Sequence, residues 1–178
     1  LSGFRITGRI GPFCGKGLVQ YRYARLKPRD LLRLWIDHLV LNMTGEGGYP
    51  RTSVLAGLNP DNRKESQWIA WGLAPVEGSE GILSFLLETY WEGLMRPIPF
   101  FPDSAWAFAR EVLEKKKETR EAYGKARKVW EGGEYSRGEM EDPYYQRCFG
   151  EVDPLDGTFE KLALAVFKPL LEHWSKVS

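Results

Sequence analysis

The residues able to do chemistry in this chain are few and scattered. Gly11-Pro12-Phe13-Cys14-Gly15-Lys16-Gly17 approximates a phosphate-cradling loop, in which backbone N–H groups and a lysine hold phosphate and a Ser or Thr holds magnesium. Its spacing is one residue short, and Gly17 stands at the magnesium-binding position. The residues after it alternate like a strand instead of opening a helix toward the anion. The stretch therefore reads as a hairpin loop. His38 and His173 each lie on or beside an apolar helical stripe without a second ligand at metal-binding spacing, and both read as core or boundary histidines. Cys14 and Cys148 form no Cys-x-x-Cys pair and have no histidine neighbour, and no Gly-x-Ser-x-Gly elbow is present, so acyl transfer, a zinc ribbon and an iron–sulfur cluster have no support. Glu88 and Glu92, one helical turn apart, are the remaining carboxylate pair, and such pairs ordinarily form a solvated helix face. The expectation is a chain with no catalytic residue, no metal ligand and no cofactor.

Charge is more informative. The 178 residues carry 25 Lys and Arg against 24 Asp and Glu, a net charge of +1, yet residues 1–29 hold Arg5, Arg9, Lys16, Arg22, Arg25, Lys27 and Arg29 and no acid. The first carboxylate is Asp30, and the rest of the chain is acidic. A positive segment on an acidic body can face nucleic-acid phosphate, or it can face acidic helices of the same domain or of a partner. Arg9, Arg22, Arg25 and Lys27 are the candidate DNA- or partner-contacting residues. Aromatic residues make up 13% of the chain and mostly fall on apolar stripes. Trp68 and Trp71 are separated by an odd spacing, so a strand would place only one of them inward and leave the other as a contact residue.

The elements that must position these side chains follow from periodicity. Gly3–Ile10 and Leu18–Leu26 alternate with period two and read as an antiparallel hairpin, with Val19, Tyr21, Tyr23 and Arg25 on one face of the second strand. After Pro28 the spacing of Leu31, Leu34, Trp35, His38, Leu39 and Asn42 predicts a helix that stops by Gly45, Gly47 and Gly48. Strands are predicted over Arg51–Leu58 and Ser66–Leu73 around the turn Asn59-Pro60-Asp61-Asn62. From Glu77 the chain reads as helical: a stripe of Leu83, Leu86, Leu87, Tyr90, Trp91 and Leu94, then a helix capped by Ser104, a charged solvated face over Glu114–Arg120, and a last helix over Leu155–Val177. The fold class is α+β, a small mixed sheet flanked by helices with a helical C-terminal half, in one domain over 1–178 (1–75 hairpin, helix and further strands; 76–178 mainly helical). The low cysteine count points to a reducing, cytoplasmic setting, and no apolar run approaches the roughly 20 residues of a membrane helix. The chain opens on Leu-Ser-Gly-Phe without Met, and the expectation is a piece excised from a longer polypeptide.

The order of hairpin, helix and further strands resembles the PD-(D/E)XK nuclease core. In that family one strand supplies an Asp in a Gly-x-(Ile/Val)-Asp context and the next supplies Asp/Glu-x-Lys, and the two acids hold the metal that activates water. Here Gly8-Arg9-Ile10-Gly11 places Gly11 at the first acid, and Arg25-Leu26-Lys27 places Arg25 at the second and keeps the lysine. A narrower resemblance is carried by Leu34-Trp35-Ile36-Asp37-His38-Leu39-Val40, by Trp91-Glu92-Gly93-Leu94-Met95-Arg96-Pro97, and by Glu131-Gly132 with Arg137-Gly138-Glu139 and Tyr145-Gln146-Arg147. These look like the C-terminal domain of RecC, the gamma subunit of the bacterial RecBCD helicase–nuclease (exodeoxyribonuclease V). The resemblance implies an inactive nuclease-like module that supports structure and guides DNA in double-strand-break repair. Its implied partners are RecB-like and RecD-like subunits, with double-stranded DNA ends and separated strands reached through the parent complex. The alternatives are an active metal-dependent DNA nuclease with acids such as Glu88 and Glu92, or a pure protein-interaction module.

Overall fold

A computed structural model describes residues 1, 3–15, 17–44, 48–59 and 68–177. The chain forms two compact units, Leu1–Tyr90 with Glu172–Ser178, and Trp91–Leu171. Lys16, Gly45, Gly47, the turn residues Pro60, Asp61 and Asn62, and Ser66 and Gln67 of the fourth predicted strand lie outside the described residues.

In the first unit, a five-stranded mixed sheet runs in the order β1 (Phe13–Cys14), β2 (Gly17–Arg25), β3 (Thr52–Leu58), β4 (Trp68–Leu73) and β7 (Trp174–Lys176). Strands β2 and β3 are parallel, which requires a crossover, and α1 (Pro28–Thr44) supplies it. Pro28 is the first residue of α1, where its missing N–H costs nothing, and the Asp30 carboxylate accepts the Lys27 N–H at 2.9 Å. Every member of the predicted stripe, Leu31, Leu34, Trp35, His38, Leu39 and Asn42, is buried.

The N-terminal hairpin does not form as predicted. Gly3–Ile10 contains no strand and is mostly exposed, and only Phe13–Cys14 pairs antiparallel with β2. Its alternation is genuine, but a strand exists only where ladder bonds form, and on the edge of β2 away from β3 only Phe13–Cys14 makes them. The last helix also ends early. It occupies Gly157–His173, and Trp174–Lys176 leaves it to pair antiparallel with β4, where Trp174 stacks on Trp71 with centroids 4.4 Å apart. Three ladder pairs and a ring stack outweigh one further helical turn there.

The faces of the sheet are unequal. Leu18, Ser53, Leu55 and Leu73 are buried on the face that meets α1, where Gln20 Nε2 donates to Asp37 at 2.7 Å. On the opposite face Val54, Ala56, Leu58 and Ala70 are only half-buried and Tyr21 and Tyr23 project into solvent. The expected flanking by helices thus holds for one face among the described residues. Trp71 points to the α1 side and Trp68 to the other, as their odd spacing requires.

Beneath the sheet, α1 carries a buried polar knot. His38 Nε2–H donates to the Ala74 carbonyl at 3.0 Å, which leaves Nδ1 to accept from the Ser53 hydroxyl at 2.7 Å. The ring is fully buried and stacks on Trp35. Burial, helped by the nearby His173 and Arg51, lowers its pKa from 6.5 to about 4, against a smaller upward pull from Ala74. The unfolded chain therefore takes up a proton between pH 6.5 and 4 that the fold refuses, so this contribution to stability is complete above pH 6.5 and is lost as pH falls toward 4. It amounts to about 3 kcal/mol. Urea titrations at pH 7 and pH 4.5 should show a stability difference that shrinks by most of this amount in His38→Gln; an equal difference in both proteins would overturn the account.

The second unit is helical, with a small hairpin. Helix α2 (Ser79–Met95) begins in the first unit and ends in the second, and Pro97 follows it. Its predicted stripe is not a core stripe: Leu83 is buried, whereas Tyr90, Trp91 and Leu94 are exposed. Helices α3 (Pro102–Leu113) and α4 (Thr119–Glu131) pack on each other. Glu114–Lys117 form the exposed turn between them, with Lys116 at φ 54°, so the charged run is mostly a connector and not a helix face. Strands β5 (Gly132–Gly133) and β6 (Ser136–Arg137), a 3-10 turn over Glu139–Glu141, α5 (Pro143–Phe149) and α6 (Gly157–His173) complete the unit. Its core is aromatic: Phe101 meets Trp130 at 4.2 Å, Tyr145 edge-on at 4.9 Å and Phe149 edge-on at 5.3 Å.

Ser104 does not cap α3. Phe101 is the N-cap and has no capping oxygen, and the Glu139 carboxylate takes that role by accepting the Asp103 and Ser104 N–H groups at 3.0 and 2.7 Å. Burial holds the Glu139 pKa above its usual value despite these bonds. Replacing Glu139 by Ala orphans two helix-end donors and should cost about 1–2 kcal/mol. Denaturant melts of Glu139→Ala showing no loss would remove the cap from the account.

Candidate functional site

Among the described residues the strands of the sheet carry no carboxylate. They read Phe-Cys, Gly-Leu-Val-Gln-Tyr-Arg-Tyr-Ala-Arg, Thr-Ser-Val-Leu-Ala-Gly-Leu, Trp-Ile-Ala-Trp-Gly-Leu and Trp-Ser-Lys. In the antiparallel β3–β4 pair the facing residues are Ser53 and Leu73, Leu55 and Trp71, and Gly57 and Ile69 on the α1 side. Their neighbours on the other side are Val54 and Gly72, Ala56 and Ala70, and Leu58 and Trp68. Two acids on adjacent strands, the arrangement that would hold a hydrolytic metal, are absent from these pairs. Nor do Gly11 and Arg25 come together as a strand pair: Gly11 precedes β1, and Arg25 is paired with Leu58. Among the described residues no group of three or more His, Cys, Asp or Glu could hold a metal ion. Glu92 on α2 pairs with Arg96 just past the end of that helix, and Glu88 is exposed on the same helix.

What the first unit does present is positive charge at the end of β2. Arg25 is exposed on the last residue of the strand and Lys27 is exposed two residues on, and neither makes an ion pair among the described residues. Arg22 has a different fate. Its Nη1 reaches both Asp30 oxygens at 2.9 and 2.8 Å, so its charge is largely neutralised inside the domain. That pair borders an open hollow of about 540 Å3 lined by Gln20, Tyr21, Arg33 and Leu55. Arg9 belongs elsewhere, beside a second hollow of about 430 Å3 lined by Ile6, Phe13, Ile36 and Tyr49. The four predicted contact residues are therefore one adjacent pair, one internal ion-pair member and one remote arginine.

The sequence reading missed the Arg22–Asp30 pair, although Asp30 was visible as the first acid after the basic run. It also left unassembled the aromatic group beside Arg25. Tyr21 and Tyr23 are 75% and 80% exposed on the same side of β2 as Arg25, and Tyr23 meets Trp68 with ring centroids 5.8 Å apart.

The three stretches that carried the resemblance are structural where they can be traced. Trp35, His38 and Leu39 are core, Tyr145 packs on Phe101, and Gly132 and Gly138 lie back to back in the β5–β6 hairpin.

Comparison with known proteins gives a consistent result. A family described as the RecC C-terminal domain matches residues 1–113. RecBCD enzyme subunit RecC of Escherichia coli (strain K12) is 29% identical over 161 residues, covering 86% of this chain and 14% of that protein. The subunit of the same name from Buchnera aphidicola subsp. Schizaphis graminum is 24% identical, covering 99% of this chain and 16% of its own length, and that of Mycobacterium tuberculosis (strain H37Rv) is 27% identical, covering 87% and 13%. The chain thus spans about one seventh of the length of the relatives it matches. With more than half of its residues matched by the family and a buried α1 core where the first motif stands, the chain belongs to the RecC C-terminal domain family.

Proposed function

We propose that this domain is a non-catalytic, structural and DNA-guiding module of a RecC-like subunit, in a helicase–nuclease that processes double-strand breaks with RecB-like and RecD-like partners. The observation that supports the non-catalytic half is that the strands of the sheet carry no carboxylate among the described residues. Family membership and the exposed Arg25 and Lys27, which make no ion pair among the described residues, support the DNA half. A mixed sheet with a helical crossover between parallel strands agrees with descent from a PD-(D/E)XK core in which the acids have been replaced.

The test uses charge reversal at Arg25 and Lys27 and leaves Arg22 intact, because reversing Arg22 would face Asp30 with a second acid. The double variant R25E/K27E should bind a double-stranded oligonucleotide at least tenfold more weakly at low salt, with a shallower salt dependence than the parent. Unchanged DNA affinity together with unchanged assembly with RecB-like and RecD-like subunits would defeat the reading. Magnesium-dependent DNA cleavage that disappears in Glu88→Ala would instead establish the nuclease alternative.

A further inference from the structure

The outer edge of β2, turned away from β3, is paired at its start alone. Phe13 and Cys14 pair with Leu18 and Gly17, and the Val19 N–H donates to the Pro12 carbonyl at 3.0 Å. The ladder stops there, because Pro12 has no N–H to donate in return. Strand alternation turns the N–H and C=O of Tyr21 to the same side as those of Val19. Among the described residues no strand or turn bonds the backbone of Tyr21–Arg25 from that side. Beside this edge lies the hollow of about 540 Å3 lined by Gln20, Arg22, Asp30 and Arg33. Its acid is already engaged, since Asp30 accepts from Arg22, and Asp37, the next acid of α1, accepts from the Gln20 amide. Arg33 is exposed and makes no ion pair among the described residues. Arg25, Lys27 and Arg29, all exposed, extend the positive charge past the end of the strand.

We propose that an extended, acidic segment of a partner protein adds to this edge as a further antiparallel strand, its main chain bonded to Tyr21 and its acidic side chains turned into the hollow toward Arg33. A polypeptide fits because a strand edge presents donors and acceptors in alternation. A phosphate backbone has acceptors and no N–H donor, so it leaves the outward carbonyls unbonded. An added strand answers both, and every second side chain of it falls on the α1 side. The sign of its charge follows from the failure of this chain's own segment to fill the edge. Continued in the register of β1, the alternating stretch Gly3–Ile10 would set Arg9 directly opposite Arg22 and beside Arg33. Like charges facing across a ladder destabilise it. A carboxylate at that position instead meets two guanidinium groups, one of which has no acid of its own. A second copy of β2, with two arginines and no acid, repeats the conflict.

The experiment titrates the full chain with two short fluorescent peptides, one alternating valine with glutamate and one alternating valine with lysine, and with the glutamate peptide N-methylated at alternate residues. The parent should bind the glutamate peptide about tenfold more tightly than the lysine peptide, lose it on N-methylation, and show slowed amide hydrogen exchange over residues 20–25 when it binds. Arg33→Glu, on the exposed side of α1, should invert the preference between the peptides. Tyr21→Pro removes an outward N–H and leaves the β3 ladder intact, so it should weaken the glutamate peptide about tenfold. If circular dichroism shows that variant unfolded, the N-methylated peptide and Arg33→Glu make the same distinction. Binding that survives N-methylation, equal affinity for the two peptides, or binding of neither would overturn the proposal. Slow exchange over residues 20–25 and 4–10 in the free chain would give the edge to the chain's own N-terminal segment, and a dimer in sedimentation that Tyr21→Pro abolishes would give it to a second copy; either result refutes the acidic partner strand.

Discussion

Replacing Asn42 with Ala should destabilise the first unit by about 3–5 kcal/mol, more than a truncation of two polar atoms suggests. Asn42 is 6% exposed and joins three separate segments. Its Nδ2 donates to the His38 carbonyl at 2.8 Å and to the Arg51 carbonyl at 3.1 Å. Its Oδ1 accepts from Val76 N at 3.0 Å and from Arg51 Nε at 3.2 Å. Alanine leaves the buried Val76 N–H and the half-buried Arg51 carbonyl with no partner from the side chain, and a buried orphan costs about 1–3 kcal/mol. The Arg51–Glu77 ion pair cannot compensate. Glu77 is 86% exposed, so the pair contributes about 0–1 kcal/mol. Chemical denaturation followed by tryptophan fluorescence reads the difference, and a loss below about 1 kcal/mol would show that water replaces the amide and that the knot is not a structural centre.

This knot also shows what could be read from the chain and what could not. The helix that carries it was legible in the sequence, because six positions repeat at helical spacing and a proline marks the start. That His38 would be a satisfied core histidine was equally legible, since a lone imidazole on an apolar stripe has no metal partner. The partners themselves were not: Ser53, Ala74 and Val76 are distant in sequence, and the pairing of β3 with β2 and of β4 with β3 brings them to α1. The same non-local pairing explains the errors at both ends. Alternation over Gly3–Ile10 gives the capacity to be a strand, yet capacity alone does not make the ladder bonds, which on that edge of β2 come only from Phe13–Cys14. Helical spacing continues through Trp174, but Trp71 and the β4 edge compete for it and prevail. At the candidate interface the charge run was legible and its internal neutralisation was not, because Arg22 finds Asp30 only once β2 and the first turn of α1 are in place.

Gly138→Ala should cost the second unit about 3 kcal/mol or more, and the reason is steric, since Gly138 sits at φ −77°, where any residue is comfortable. A Cβ there would stand 2.4 Å from the Trp130 carbonyl oxygen and 2.4 Å from the Glu131 carbonyl carbon, and both obstacles are backbone. Neither can rotate away. Gly132, at φ 77°, faces it across the hairpin, with the Gly138 N at 2.4 Å from its own virtual Cβ, so the two glycines allow one close passage of main chain over main chain. Forcing this crossing apart moves Trp130, which packs on Phe101, and moves Glu139, whose carboxylate caps α3. One methyl group thus disturbs the aromatic core and a helix end together. Gly124 provides the internal control. It is exposed within α4 with nothing within 4 Å of its virtual Cβ, so Gly124→Ala should stabilise the same unit by about 0.5–1 kcal/mol through helix propensity. Opposite signs for one substitution type in one unit, read as shifts of the thermal midpoint, would establish the crossing as the cause; equal shifts would refute it.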